Sequence, residues 1–142
     1  MLPGTWAVAQ LPAGTALPAW AQGHEFVSIT HAADEISIVC PADAVPDAIK
    51  AERGWVLFKV KGPLDFSEVG VLASIVAPLA AARVPVLALG TYHTDYILVK
   101  QTDVPAVIAA WREAHHHCDG TGETDDGSRT NGRSGVAFAS MR

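Results

Sequence analysis

The chain has 142 residues, 49% of them hydrophobic, enough for one folded domain or two small units sharing a core and too much for a disordered chain. Ten basic against fifteen acidic side chains give a formal charge of −5, the wrong sign for a protein that grips nucleic-acid phosphates. No apolar run is long enough for a bilayer, and a start broken by Pro3, Pro12 and Pro18 lacks a basic leader, so a cytoplasmic protein with no membrane partner is expected.

The first part of the chain reads as strands. Residues 4–11, led by Trp6, form one, and 26–31 and 35–40 form two more across the turn Ala32-Ala33-Asp34. Phe26-Val27-Ser28-Ile29-Thr30 and Glu35-Ile36-Ser37-Ile38-Val39 alternate, the period-two sign of a strand with one buried face. Only a short helical turn fits at 17–22, and 41–54 is a polar connector with room for another short helix near 47–52.

The second part is fuller. Residues 55–61 are a strand ended by Gly62-Pro63. Asp65-Phe66-Ser67-Glu68 has the form of a capping box, which predicts a helix over 67–83. That helix has an apolar stripe at Val69, Leu72, Ala73, Val76 and Ala80, and a second at Val71, Ile75, Pro78 and Ala82. A sheet can cover only one of them, so the other calls for burial against a partner, most simply another copy of the chain. Pro78 cannot donate to the Ser74 carbonyl and crowds it; either the helix kinks there, or the freed carbonyl serves a ligand or an interface. Strands at 86–91 and 96–100 follow. Asp103 then caps a helix carrying Val104, Val107, Ile108 and Trp111, which ends near the histidines. From 118 to 142 the composition turns to Gly, Ser, Thr, Asp and Arg, as in a flexible tail.

One pattern occurs twice. Thr30-His31-Ala32-Ala33-Asp34-Glu35-Ile36-Ser37-Ile38 is echoed by Thr91-Tyr92-His93-Thr94-Asp95-Tyr96-Ile97-Leu98-Val99, with Thr, Asp, Ile and the closing β-branched residue in register. The openings also match, Trp6-Ala7-Val8-Ala9-Gln10-Leu11 with Trp55-Val56-Leu57-Phe58-Lys59-Val60. Two copies are too few for a solenoid, so a pseudo-duplicated fold is expected. Its units are 1–54, with an abbreviated helix, and 55–117, followed by the tail at 118–142. Strand, helix, strand, strand in each unit points to an α+β, ferredoxin-like layout with antiparallel sheet on one side and helices on the other.

At Phe58-Lys59-Val60-Lys61-Gly62-Pro63-Leu64-Asp65-Phe66-Ser67 and at Thr91 to Val99 the chain resembles the ACT-domain family. Within it, the similarity is to small bacterial tandem-ACT proteins related to cytosolic arginine sensors and to aspartate kinase regulatory domains. The resemblance covers roughly 4–115 and is strongest over 55–100. It implies two βαββαβ modules, the first abbreviated, that dimerise and bind an amino acid at an interface between modules. A non-catalytic regulatory protein with no cofactor follows from it, acting on an effector protein. The resemblance carries ligand contacts onto Asp65, Phe66, Ser67, Glu68, Val69 and Leu72. It places Thr91, Tyr92, Thr94 and Asp95 on the opposite wall, and has Ser74 and Ile75 contributed from a partner module. Thr94 stands where the arginine sensors have an aromatic residue, and Asp65 replaces a glycine, so arginine itself does not follow.

The chemistry of these residues suits such a ligand. An amino acid presents a carboxylate and an ammonium group close together. The start of the predicted helix offers unpaired N–H groups and the positive end of its dipole to the carboxylate. Asp95 can hold the ammonium or a basic side chain, while Val69, Leu72 and Tyr92 exclude water. Asp95 can equally be a plain hairpin residue, a reading that its echo Asp34 favours. Two other classes stay open: an enzyme or enzyme subunit using His93 and Asp95 as polar groups, and a structural dimer that binds nothing.

Other signals are weaker. His115-His116-His117-Cys118 has metal-binding residue types, but consecutive side chains at a helix end diverge, and no metal site is expected. Cys40 and Cys118 have no metal-ligand spacing and read as reduced thiols. There is no phosphate-binding Gly loop, paired-carboxylate signature or serine elbow.

Overall fold

Alternating sequences pair where their apolar faces can be covered together. In the computed structural model, which describes residues 1–119 and the backbone of 139 and 140, six strands share one antiparallel sheet. They are β1 (Trp6–Pro12), β2 (Ser28–His31), β3 (Glu35–Pro41), β4 (Ala51–Lys59), β5 (Leu87–Gly90) and β6 (Asp95–Lys100). The order across the sheet is β2-β3-β1-β4-β6-β5. Helices α1 (Val71–Ala81) and α2 (Val104–Glu113) lie in the second half of the chain. A two-residue strand, β7 (His117–Cys118), pairs with β8 (Ala139–Ser140). The rest of the expected tail lies outside the described residues.

The register separates the two faces of the sheet. Val56 sits opposite Val99 and Phe58 opposite Ile97, and this face is buried against Ile75 and Leu79 of α1 and Val107 and Trp111 of α2. The ring of Phe58 meets that of Trp111 edge-on, with centroids 5.0 Å apart. Leu57 opposite Leu98 belongs to the reverse face, with Trp6, Phe26 and Val39. There the indole of Trp6 and the ring of Tyr96 both pack on Phe26.

The first half solves coverage without a helix. Only a 3-10 turn at Ala19–Ala21 stands between β1 and β2, and the segment expected to be helical near 47–52 is not. Instead Ile49 N–H closes a turn on Pro46 O and β4 begins at Ala51, ahead of the expected 55. Arg53 holds the 42–46 stretch in place. Its guanidinium donates to the carbonyls of Ala42 (2.6 Å), Val45 (2.9 Å) and Pro46 (3.2 Å), which lets Val45 and Ile49 cover Ala7, Ala9, Ile38 and Cys40.

The helix predicted over 67–83 is shorter, 71–81, and shows its other face to the sheet. Ile75 and Leu79 are fully buried, whereas Leu72, Ala73 and Ala80 of the first stripe are exposed. Periodicity cannot choose between two apolar stripes; contacts from α2 do. Trp111 Nε1 donates to the Ile75 carbonyl (2.9 Å), fixing that side of α1 inward. Asp103 does occupy the N-cap of α2, but its side chain makes no capping bond.

Replacing Arg53 by Met leaves three backbone carbonyls without their cationic donor while keeping the apolar stem. A loss of about 2 kcal/mol in unfolding free energy is expected, read from the urea midpoint at unchanged slope. Arg53→Lys should recover only part of it, because an ammonium cannot span the three acceptors as the guanidinium fork does.

Candidate functional site

The chain turns sharply after β4 and again before β6, and backbone bonds join the two turns. Val60 N–H donates to Asp95 O (2.9 Å), Leu64 N–H to His93 O (2.8 Å), and the buried Thr94 hydroxyl to Val60 O (2.8 Å). Thr91 shapes the second turn, its amide and hydroxyl both donating to Thr94 O at 2.8 Å. Gly62 is demanded by this approach: a Cβ there would lie 2.8 Å from His93 O and 3.1 Å from Thr94 Cβ. Above the junction Phe66 meets Tyr92 edge-on, with ring centroids 5.2 Å apart.

The capping-box residues make their reciprocal bonds, but in a turn detached from the helix. Asp65 accepts from the Ser67 hydroxyl and amide, and Glu68 reaches back to the Asp65 amide (3.3 Å). The Ser67 hydroxyl, then its amide, hold the Asp65 carboxyl below the ordinary carboxylate range. Val69 and Gly70 intervene before α1, and Gly70 has φ of 82°, a left-handed conformation that breaks helical continuity.

A cavity of about 650 Å³ opens between this loop, the first turns of α1 and the segment after α2. Lys61, Leu64, Glu68, Val71, Ser74 and His116 contribute to its walls, on either side of Gly62-Pro63. Ammonium and carboxylate thus share a space with small apolar side chains, an arrangement that suits a zwitterion of modest size. A second recess of about 590 Å³ shares Lys61, Gly62 and Pro63 with the first and takes in Lys59, His93 and Thr94.

The back wall depends on Pro78. Without its N–H the Ser74 carbonyl has no donor from the next turn, and His116 Nε2 lies 3.0 Å from that oxygen. Since a carbonyl only accepts, Nε2 carries the proton. The freed carbonyl is therefore used within the subunit.

Of the expected contacts, Glu68 and Ser74 line the first cavity and Thr94 the second. Phe66, Val69 and Tyr92 stand on the outer rim, 78%, 96% and 75% exposed, with Leu72 at 38% beside them. Asp65 and Ser67 are exposed in their turn, and Thr91 at the hairpin. Ile75 is wholly buried in the helix–sheet core. Asp95 is half-buried beside Gly90 and lines neither cavity; its carboxylate has no hydrogen-bond or ion-pair partner among the described residues. The loop and the hairpin are thus brought together, while the helix start and Asp95 are not.

Lys61, Leu64, Val71 and His116 were not anticipated at the site. Lys61 was legible as the last residue before the Gly-Pro stop; nothing local marks His116. Among the described residues no three His, Cys, Asp or Glu side chains converge as metal ligands, and burial pushes the Cys118 thiol up.

Comparison with known proteins bears on this region. The ACT-domain family model matches residues 50–113, and a model described as an N-terminal domain matches 4–48. The cytosolic arginine sensor for mTORC1 subunit 1 of Mus musculus is 31% identical over 100 residues, 68% of this chain and 30% of the sensor. Its Bos taurus counterpart is 41% identical over 63 residues, 41% of this chain and 19% of that protein. The chain therefore spans less than a third of either relative. A crystallised Agobacterium tumefaciens protein is 37% identical with a TM-score of 0.74, covering 78% of this chain and 83% of that one. Aspartate kinase from Clostridium acetobutylicum shares the fold at 11% identity and a TM-score of 0.53, over 78% of this chain and 32% of the kinase. Among the described residues no helix is long and apolar enough to cross a membrane.

Gly62→Ala drives a methyl group into the His93 carbonyl. The loop and the hairpin should separate at a cost of about 1–3 kcal/mol, measured by chemical denaturation. The edge-on Phe66–Tyr92 contact should loosen with them, visible as altered near-ultraviolet circular dichroism.

Proposed function

Because the chain belongs to the ACT-domain family, we propose that it is a non-catalytic regulatory protein that binds a free amino acid. The observation that carries the reading is the cavity walled by Lys61 and Glu68, built mostly from the family-matched segment where the β4 loop meets α1. The arginine-sensor names of the relatives make amino-acid sensing the natural class of activity.

In this reading the ligand carboxylate faces Lys61, its ammonium faces Glu68, and its side chain lies against Leu64 and Val71. The proposed site then extends over the rim of Asp65, Phe66, Ser67, Val69, Leu72, Thr91 and Tyr92, with Thr94 buried beneath it and Asp95 outside both cavities. A second copy of the chain covers that rim, with Ser74 lining the cavity and Ile75 held in the core of its own subunit rather than contributed across the interface. The exposed apolar side of α1 and the exposed aromatic pair support a homodimer, since such surface is rarely left to solvent. The chain would be organised as two ferredoxin-like modules, 1–54 abbreviated and 55–117 complete, with 118–142 as a tail. The protein would work in the cytoplasm. Ligand binding changes the output only if the amino acid binds two states unequally, with the difference read by an effector protein.

A thermal-shift screen against the free amino acids tests this. One or a few should raise the melting temperature, by a margin that grows with ligand concentration. Glu68→Gln should weaken that response, on the order of tenfold in affinity for loss of one charge-assisted bond, while Asp95→Ala, outside both cavities, should leave it nearly unchanged. No shift at millimolar concentrations of any amino acid would sink the sensing reading.

A further inference from the structure

One wall of the cavity comes from beyond the family-matched span, which ends at 113. His116 reaches back to α1, and its ring orientation is set by a single bond. Nε2 meets the Ser74 carbonyl at 3.0 Å, while Nδ1 is buried with no hydrogen-bond partner among the described residues. The approach is fixed by how α2 ends. His116 N–H donates to Trp111 O (2.8 Å) and His115 N–H to Arg112 O (3.1 Å), with His115 itself at φ of 62°. This closing pattern turns the chain so that the next side chain faces α1. The same imidazole lines a smaller recess of about 310 Å³ with Arg112, His117, Cys118 and Asp119. One ring thus partitions the candidate ligand cavity from the segment leading into β7.

We propose that His116 is a latch: by taking the carbonyl that Pro78 frees, it positions the α1 wall of the amino-acid cavity and transmits occupancy of that cavity to residues 114–119. The coupling rests on the sensing reading above; the latch itself does not. A ligand seated against Val71, Ser74 and the imidazole binds best when the latch is closed. By reciprocity, closing the latch raises affinity for the ligand. His116 is a positioning residue in this scheme.

Hydrogen exchange of the full chain over residues 114–119 tests the latch without ligand. His116→Leu should speed exchange there on the order of tenfold, and Pro78→Ala should do the same by restoring a competing helical donor to Ser74. His116→Gln, whose amide nitrogen reaches the place of Nε2, should keep the protection. Pro78→Ala should also leave global stability equal to or above wild type, so faster exchange there cannot be a general loss of folding. The free amino acids, L-arginine among them, are then added one at a time. Any that raises the wild-type melting temperature should slow exchange at 114–119 in wild type and His116→Gln. It should bind His116→Leu and Pro78→Ala on the order of tenfold more weakly.

Unchanged exchange in His116→Leu, or Gln behaving like Leu, overturns the latch. Equal ligand affinity in wild type and His116→Leu overturns the transmission. A wild type that no amino acid shifts removes the transmission together with the sensing reading, while the exchange comparison still decides the latch.

Discussion

A proline without an N–H, at position 78, governs the arrangement of the second half of this protein. In an isolated helix it would cost about 3 kcal/mol or more, and a hydrogen bond from His116 to the freed Ser74 carbonyl returns only about 1 kcal/mol. Helix α1 therefore does not persist on its own hydrogen bonds. What holds it is burial: Ile75 and Leu79 are fully enclosed, each contributing about 1.5–3 kcal/mol. Trp111, also fully enclosed, ties the Ile75 carbonyl from α2. The side of α1 that meets the sheet is thus chosen by α2, and the cavity inherits its back wall from that choice.

Much of the sheet was legible, for a simple reason. Period-two alternation in Glu35–Val39 and the short apolar run Ile97–Val99 are local properties, and the hairpin at Thr91–Asp95 is fixed by residues that bond one another within the turn. The helix start was not legible. Asp65, Ser67 and Glu68 do make capping-box bonds, but Gly70 at a positive φ separates that turn from α1, and the same bonds serve either structure. Nor could sequence choose between two apolar stripes on one helix, since the decision is made by Trp111 from a distant element. The cavity shows the same division. Glu68 and Ser74 carried a signal through the resemblance, whereas His116 enters through a bond to a backbone carbonyl on another helix, a contact that leaves no pattern along the chain.

The two halves cover the same face of the sheet by different means, and this bears on where a ligand can sit. In the first half Arg53 substitutes for a helix, pinning a short loop over Ala7, Ala9 and Ile38 through three carbonyls. That loop supplies no helical first turn like the one that walls the 650 Å³ cavity. In the second half a full helix packs on the sheet face through Ile75 and Leu79, and the loop whose Gly62 approaches His93 borders both cavities. The helix-free cover of the first half and the cavity beside the helix in the second are consequences of one difference in how the sheet is roofed.

The exposed rim is what would make such a cavity regulatory. Phe66, Val69, Leu72 and Tyr92 lie beside it, and full burial of a large apolar side chain is worth roughly 1.5–3 kcal/mol. In a two-fold interface each residue counts in both copies, and burying the part of each side chain still exposed gives roughly 9–17 kcal/mol, which overlaps the 4–15 kcal/mol cost of immobilising two subunits. Self-association through this face alone would stand near balance. A ligand that adds even two charge-assisted hydrogen bonds across the junction then shifts the assembly by more than tenfold, which a strongly self-associating surface would not permit. A switch of that kind would require only moderate apolarity in the rim, such as Leu72 at 38% exposure beside Val69 at 96% would supply.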